Sequence, residues 1–246
     1  MFIDIHCHLD LLKDINKAIE RAEEREVEII ITNGINVKNN REVLKLAEEN
    51  KNIKAAIGIY PIDALELSDS QIDEEIEFIK ENKDKIIAIG EVGMDFKESA
   101  DKERQKTTFE KFIRLAKQID KPIIVHSRKA EKECIEALER LGAKKVILHY
   151  FSGNFSLAER AVKNSWFLSI PTAVYYSEHF QKIAKELPLD NLLCETDSPF
   201  SHPMKQGQNE PSNVIYSYKK IALLKGIPLH EVEEKIEENF SRLFSK

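Results

Sequence analysis

The sequence predicts an α/β protein folded as a single (β/α)8 barrel with additional helices at its C-terminal end. Short β-branched runs alternate with charged segments of helical period along all 246 residues. The runs number eight, and parallel strands joined by right-handed crossovers close naturally into a barrel at that count. No GxGxxG follows the first run, which makes an open doubly wound sheet the runner-up.

The strand runs are FIDIHC near residue 2, VEIIIT near 27, IKAAIGI near 53 and IIAIGEV near 86, then PIIVHS near 122, KVILHY near 145, WFLSI near 166 and NLLCETD near 191. Most are short and rich in Ile and Val, the pattern of a buried strand. Between them lie DINKAIERAEER, REVLKLAEEN, IDEEIEFIKEN, KERQKTTFEKFIRLAKQI and AEKECIEALERL. In these, apolar residues recur at three- and four-residue spacing, which marks helices with one buried stripe. Two further helical segments, SNVIYSYKKIALLKG and LHEVEEKIEENFSRLF, follow the eighth strand and complete the outer layer. No repeat, low-complexity tract or Pro/Gly/Ser-rich linker divides the chain, so residues 1–246 are expected to form one domain.

Composition narrows the function. With 42% hydrophobic and 33% charged residues the chain is globular, and no apolar run approaches the eighteen or so residues of a membrane span. No basic n-region or long apolar h-region opens the sequence, so a cytoplasmic protein is expected. Cys7, Cys134 and Cys194 are odd in number and widely spaced, which suits buried thiols better than disulfides or a zinc knuckle. The net charge of −6 opposes a broad nucleic-acid footprint while permitting a small local contact. Few aromatics and no unassigned apolar stripe suggest a monomer.

The polar residues at the strand ends are unusual. In IDIHCHLD, His6 and His8 fall two apart, so on a strand both imidazoles share one face and Cys7 takes the other. Imidazole is the commonest side-chain ligand of transition metals. Glu91 ends the fourth strand, His126 the fifth, His149 the sixth and Asp197 the eighth. All lie at C-terminal ends, where such barrels carry their active sites. Four histidines and two carboxylates exceed what one catalytic zinc requires, and two divalent cations bridged by Glu91, about 4 Å apart with water between them, fit better. Singly, His126 or His149 could equally be a hydrogen-bonded structural residue. His179, His202 and His230 lack strand partners and read as surface residues. Asp4 and Glu195 share the inward parity one layer lower; each could orient an imidazole or a water, or form an internal salt bridge.

The succession IDIHCHLD, GEVGMDF, VHSRKA, HYFSGN and ETDSPF, followed by NEPSNV, resembles the TatD family of metal-dependent deoxyribonucleases within the amidohydrolase-like barrels. The similarity runs through essentially the whole chain in the family's order. It implies a TIM barrel, a divalent-metal site for Mg, Mn or Zn, and phosphodiester hydrolysis from a DNA end. The family's ligands fall on His6, His8, Glu91, His126, His149 and Asp197, with Asp197 also the base for the attacking water. Arg128 matches the family's substrate-side arginine and could hold a phosphate bidentately or merely pair at the surface. After the third strand the family often has His-Pro-His, where this chain reads GIYPID. Tyr60 could there stack on a base, donate a hydrogen bond, or pack at the rim. Lys205, Gln206, Gln208 and Asn209 could meet a polar substrate or form a solvated turn.

Three functions follow. The first is a nuclease on single-stranded or frayed DNA ends. The second is an amidohydrolase-like enzyme on a small ester, lactone, amide or phosphate ester; the lack of a strand-four lysine that could be carbamylated opposes its amidase branch. The third is a barrel that binds without catalysis.

Overall fold

A computed structural model describes residues 1–244. Eight strands form one parallel sheet in chain order. They are β1 (Phe2–Cys7), β2 (Val27–Asn33), β3 (Ile53–Ile57), β4 (Ile86–Gly93), β5 (Ile123–His126), β6 (Val146–Leu148), β7 (Phe167–Pro171) and β8 (Leu192–Glu195). Around them run α1 (Ile15–Glu24), α2 (Val37–Glu49), α3 (Asp69–Glu81), α4 (Lys102–Gln118), α5 (Glu131–Arg140), α6 (Phe155–Lys163), α7 (Glu178–Glu186), α8 (Val214–Lys225) and α9 (Leu229–Phe244). This is a TIM barrel, with α8 and α9 following the last strand.

Helix starts are set locally. Asp14, Asn36, Ser68, Asp101, Asn154 and Ser177 each accept a hydrogen bond from a backbone N–H of the first turn, and Ser68 forms a capping box with Gln71. Such a cap stabilises its helix by about 1 kcal/mol, and its position decides where the chain turns from loop to helix. The strands then bury their Ile, Leu and Val on both faces, and the three cysteines are buried thiols.

The barrel nearly closes between β8 and β1, at the end that carries the site. His8 N donates to Ser198 O at 2.7 Å and Asp197 N donates to His6 O at 2.9 Å. One layer lower, Thr196 N donates to Asp4 Oδ1 at 2.9 Å and the Thr196 hydroxyl lies 2.5 Å from Asp4 Oδ2. Asp4 thus ties the β8 end to β1, and burial pushes its carboxyl well above the usual range. On α8, the Tyr218 hydroxyl accepts from Ile3 N at 3.0 Å, anchoring the C-terminal helices to the first strand.

Gly93 requires its missing side chain. At φ 149° it runs beside β5 so closely that a Cβ would stand 1.9 Å from the His126 carbonyl oxygen. Among the described residues no helix is long and apolar enough to cross a membrane.

Candidate metal centre

Glu91 occupies the centre of the C-terminal mouth, and its two oxygens face opposite ways. Oε2 lies 3.4 Å from His8 Nε2 and 3.6 Å from His6 Nε2, while Oε1 lies 2.8 Å from His126 Nδ1 and 3.2 Å from His149 Nε2. Asp197 Oδ1 stands 3.8 Å from both His6 Nε2 and His8 Nε2, which are themselves 3.3 Å apart. The six residues named at the strand ends therefore converge: His6, His8 and Asp197 form one group, His126 and His149 join Glu91 in another, and His6 and His149 also gather with Glu195 in a third.

One of the six reaches the centre by a route that strand parity does not describe. Asp197 lies two residues past β8 in the left-handed region, at φ 54°, where the turn swings its carboxylate inward. Tyr150, immediately after His149, is likewise left-handed at φ 44°, which for an aromatic is rare and clusters at functional sites. Its backbone N–H donates to Glu195 Oε1 at 2.9 Å.

Neighbouring groups hold the imidazoles in orientation. His126 Nε2 donates to Asp95 Oδ2 at 2.9 Å, leaving Nδ1 toward Glu91. The same oxygen accepts from the Tyr60 hydroxyl at 2.9 Å, and Asp95 Oδ1 accepts from Lys97 N and Glu98 N, each at 2.9 Å. Tyr60 is thus turned toward Asp95, with its ring edge-on to His126. Sequence reasoning missed Asp95, although it sits in the quoted GEVGMDF and continues the parity of Glu91. His8 Nδ1 faces Asn33 O at 3.0 Å. Glu195 Oε2 accepts from Ser169 Oγ at 2.5 Å and lies 3.5 Å from His149 Nδ1, so this residue does approach an imidazole.

The electrostatics follow from crowding in a dry pocket. Burial would raise Glu91, but the imidazoles of His149, His126 and His8 hold it well below the usual carboxylate range. Burial likewise opposes charge on His149, yet Glu91 and Glu195 on either side lift it well above an ordinary histidine. His8 and His126 are raised against the same penalty, chiefly by Glu91 for the first and Asp95 with Glu91 for the second. His6 goes down, from burial and from the His149 ring stacked on it at 3.8 Å. Burial lifts Asp197 to about 7. Asp95, despite burial, is held at about 2 by its hydrogen bonds to His126, Glu98 N and Tyr60.

This donor set fits cations. Ligand atoms at about 2.1 Å from a tetrahedral ion lie about 3.4 Å from one another, and the His6, His8, Glu91 and Asp197 atoms are separated by 3.3–3.8 Å wherever they face each other across the first group. All are nitrogen and carboxylate donors gathered at unusual density.

The remaining sequence candidates fall nearby. Arg128 is half-exposed at the mouth, its Nη1 donating to Glu98 Oε1 at 2.9 Å. Lys205 lies 4.2 Å over the Tyr176 ring, Gln206 N donates to His202 Nδ1, and Gln208 bonds Lys13 N and Leu11 O. Asn209 is fully buried and braces Thr172 and Thr196, so it supports the loop from within. His230 is exposed as expected, but His179 and His202 are half-buried: His179 Nε2 donates to Phe151 O, and His202 Nδ1 accepts from Met204 N, each ring satisfying loop backbone.

A family model described as TatD related DNase matches residues 3–245. The deoxyribonuclease TATDN3 of Homo sapiens is 35% identical, with 99% of this chain and 94% of that protein covered. The uncharacterized metal-dependent hydrolase YabD of Bacillus subtilis is 36% identical over 99% of each. Among solved structures, YjjV, a TatD homologue from Escherichia coli, superposes with a TM-score of 0.92 at 28% identity, covering 100% of this chain and 98% of that one.

Proposed function

The chain belongs to the TatD-related DNase family of metal-dependent hydrolases, and from that premise we propose that it cleaves phosphodiester bonds at a DNA end with two divalent cations. One observation carries this reading: the two oxygens of Glu91 face two separate pairs of imidazoles. His6, His8 and Asp197 would hold one cation, His126 and His149 the other, with Glu91 between. When bound, such a pair lowers the pKa of the attacking water and neutralises charge on the scissile phosphate.

The chain's own groups do the rest. Asp197 takes the proton of the attacking water on its carboxylate, which lines the cavity beside His6 and His8. Asp95 holds His126 so that Nδ1 is presented, and Glu195 steadies His149. Arg128 leaves Glu98 to hold a phosphate oxygen pair. The protein works as a cytoplasmic monomer on this reading, as one domain over its whole length.

One observation favours a second reading, hydrolysis of a small ester, lactone, amide or phosphate ester. The mouth is a cavity of about 720 Å3, the size of a small-molecule pocket, and among the described residues Arg128 is the only arginine or lysine lining it. The deciding experiment offers end-labelled single-stranded DNA to metal-stripped protein with Mg2+, Mn2+ or Zn2+ restored separately, Asp197→Asn alongside. Laddering from one end, lost in the variant, supports the nuclease. Intact DNA with every metal, while a small ester is cleaved, supports the second reading.

A further inference from the structure

The walls of the mouth are not built for a polyanion. Among the described residues Arg128 is the one arginine or lysine that lines the cavity, and it is itself paired with Glu98. A nucleic-acid end therefore finds little basic surface along its backbone, and its remaining attraction must come from elsewhere. The exposed apolar side chains supply it. Phe200 is 55% and Leu11 40% exposed, and both line the cavity beside His8 and Asp197. Leaving aromatic and aliphatic surface in water this close to a reaction centre points to a ligand with an apolar face.

Phe200 is also held firmly. Its N–H donates to Asp197 O at 2.8 Å, so one turn delivers both the candidate base and the ring. Ser201 is tied on both sides, its hydroxyl donating to the Tyr150 hydroxyl oxygen at 2.9 Å and its carbonyl accepting from Thr172 Oγ1 at 2.7 Å. The ring centres of Phe200 and His8 lie 6.3 Å apart, with the rings at 70° to each other. Leu11 is fixed from the other flank by Leu11 N to His8 O, at 3.2 Å.

We propose that Phe200, with Leu11 in the same cavity wall, is a stacking subsite for one unpaired nucleobase next to the scissile phosphate. This rests on the phosphodiesterase reading above. A base has two apolar π-faces whatever its identity, so the subsite accepts any sequence but requires a base free of its partner. The enzyme then selects single-stranded ends, with binding only weakly salt-dependent because so few phosphates meet a cation.

The test measures kcat/KM for a single-stranded oligonucleotide, for the same strand with one abasic residue moved through the three terminal positions of either end, and for a dialkyl phosphate diester that has no base. Wild type, Phe200→Ala, Phe200→Tyr and Leu11→Ala are compared. Phe200→Ala is expected to lower the ratio of DNA to dialkyl-phosphate hydrolysis by about five- to hundredfold, the effect of losing one base–aromatic stack, mainly through KM, and Phe200→Tyr to restore it. One abasic position should cost wild type a similar factor and cost Phe200→Ala little more, since the two changes remove the same contact. Leu11→Ala, on a separate element from Phe200, should shift the ratio in the same direction, with dialkyl-phosphate hydrolysis unchanged as the sign that His8 is undisturbed. An unchanged ratio, or abasic and Phe200→Ala losses that simply multiply, overturns the subsite while leaving the nuclease reading intact. A wild type that spares DNA with every metal but hydrolyses the dialkyl diester overturns both.

Discussion

Replacing Asp95 by Asn tests whether the groups around the centre, and not only the ligands, set cation affinity. Asp95 Oδ1 accepts from two backbone N–H groups, Lys97 and Glu98, and so must remain an oxygen in the variant. The new amide NH2 then faces the Tyr60 hydroxyl and His126 Nε2. To avoid donor against donor, His126 must shift its proton to Nδ1, the nitrogen that lies 2.8 Å from Glu91 and would bind the cation. A group of this kind is worth about 10- to 100-fold in metal affinity, or about 1.4 to 2.7 kcal/mol. Competition with a chromophoric chelator, on protein whose native circular dichroism is checked, should show this loss at one of two equivalents. Tyr60→Phe removes one of four hydrogen bonds to the same carboxylate and should cost less than about fivefold. Two equivalents bound by Asp95→Asn with wild-type affinity would refute the orienting role, as would a larger loss in Tyr60→Phe than in Asp95→Asn.

Other outcomes follow from the same geometry. His8, His126 and His149 are raised in the metal-free protein, so their contribution to stability is present below about pH 6.5 and disappears as the pH rises through their folded values; thermal melts should show that stripping metal lowers the Tm more at pH 8 than at pH 6, and equal losses would contradict this. Cation loading should release protons near pH 7, measurable in weak buffer, because imidazolium must become imidazole to bind. Arg128→Ala removes a pair whose members are each 51% exposed, so stability should change by no more than about 0.5 kcal/mol, while DNA turnover falls about ten- to hundredfold; a parallel loss of stability would assign Arg128 to packing. Gly93→Ala pushes a Cβ into the His126 carbonyl and should cost about 2 kcal/mol or more in urea unfolding, together with metal affinity.

The sequence by itself determined the barrel and the residues at its mouth. Eight short apolar runs, spaced by amphipathic helices, are local patterns with periods of two and 3.6, and such periods survive in any tertiary context. The same period put His6 and His8 on one face with Cys7 on the other. The partners of those residues were decided only by the tertiary structure. Asp95 meets His126 because β4 and β5 lie in register with Gly93 opposite His126, a relation between segments that neither segment carries. The division of Glu91 between two imidazole pairs, the turning of the Tyr60 hydroxyl onto Asp95, and the delivery of Asp197 and Phe200 by one left-handed turn depend likewise on strand register and loop dihedrals. Residue type and parity predict which groups reach the mouth; the direction each group faces depends on the closed barrel, whose packing and hydrogen bonds select one rotamer from several.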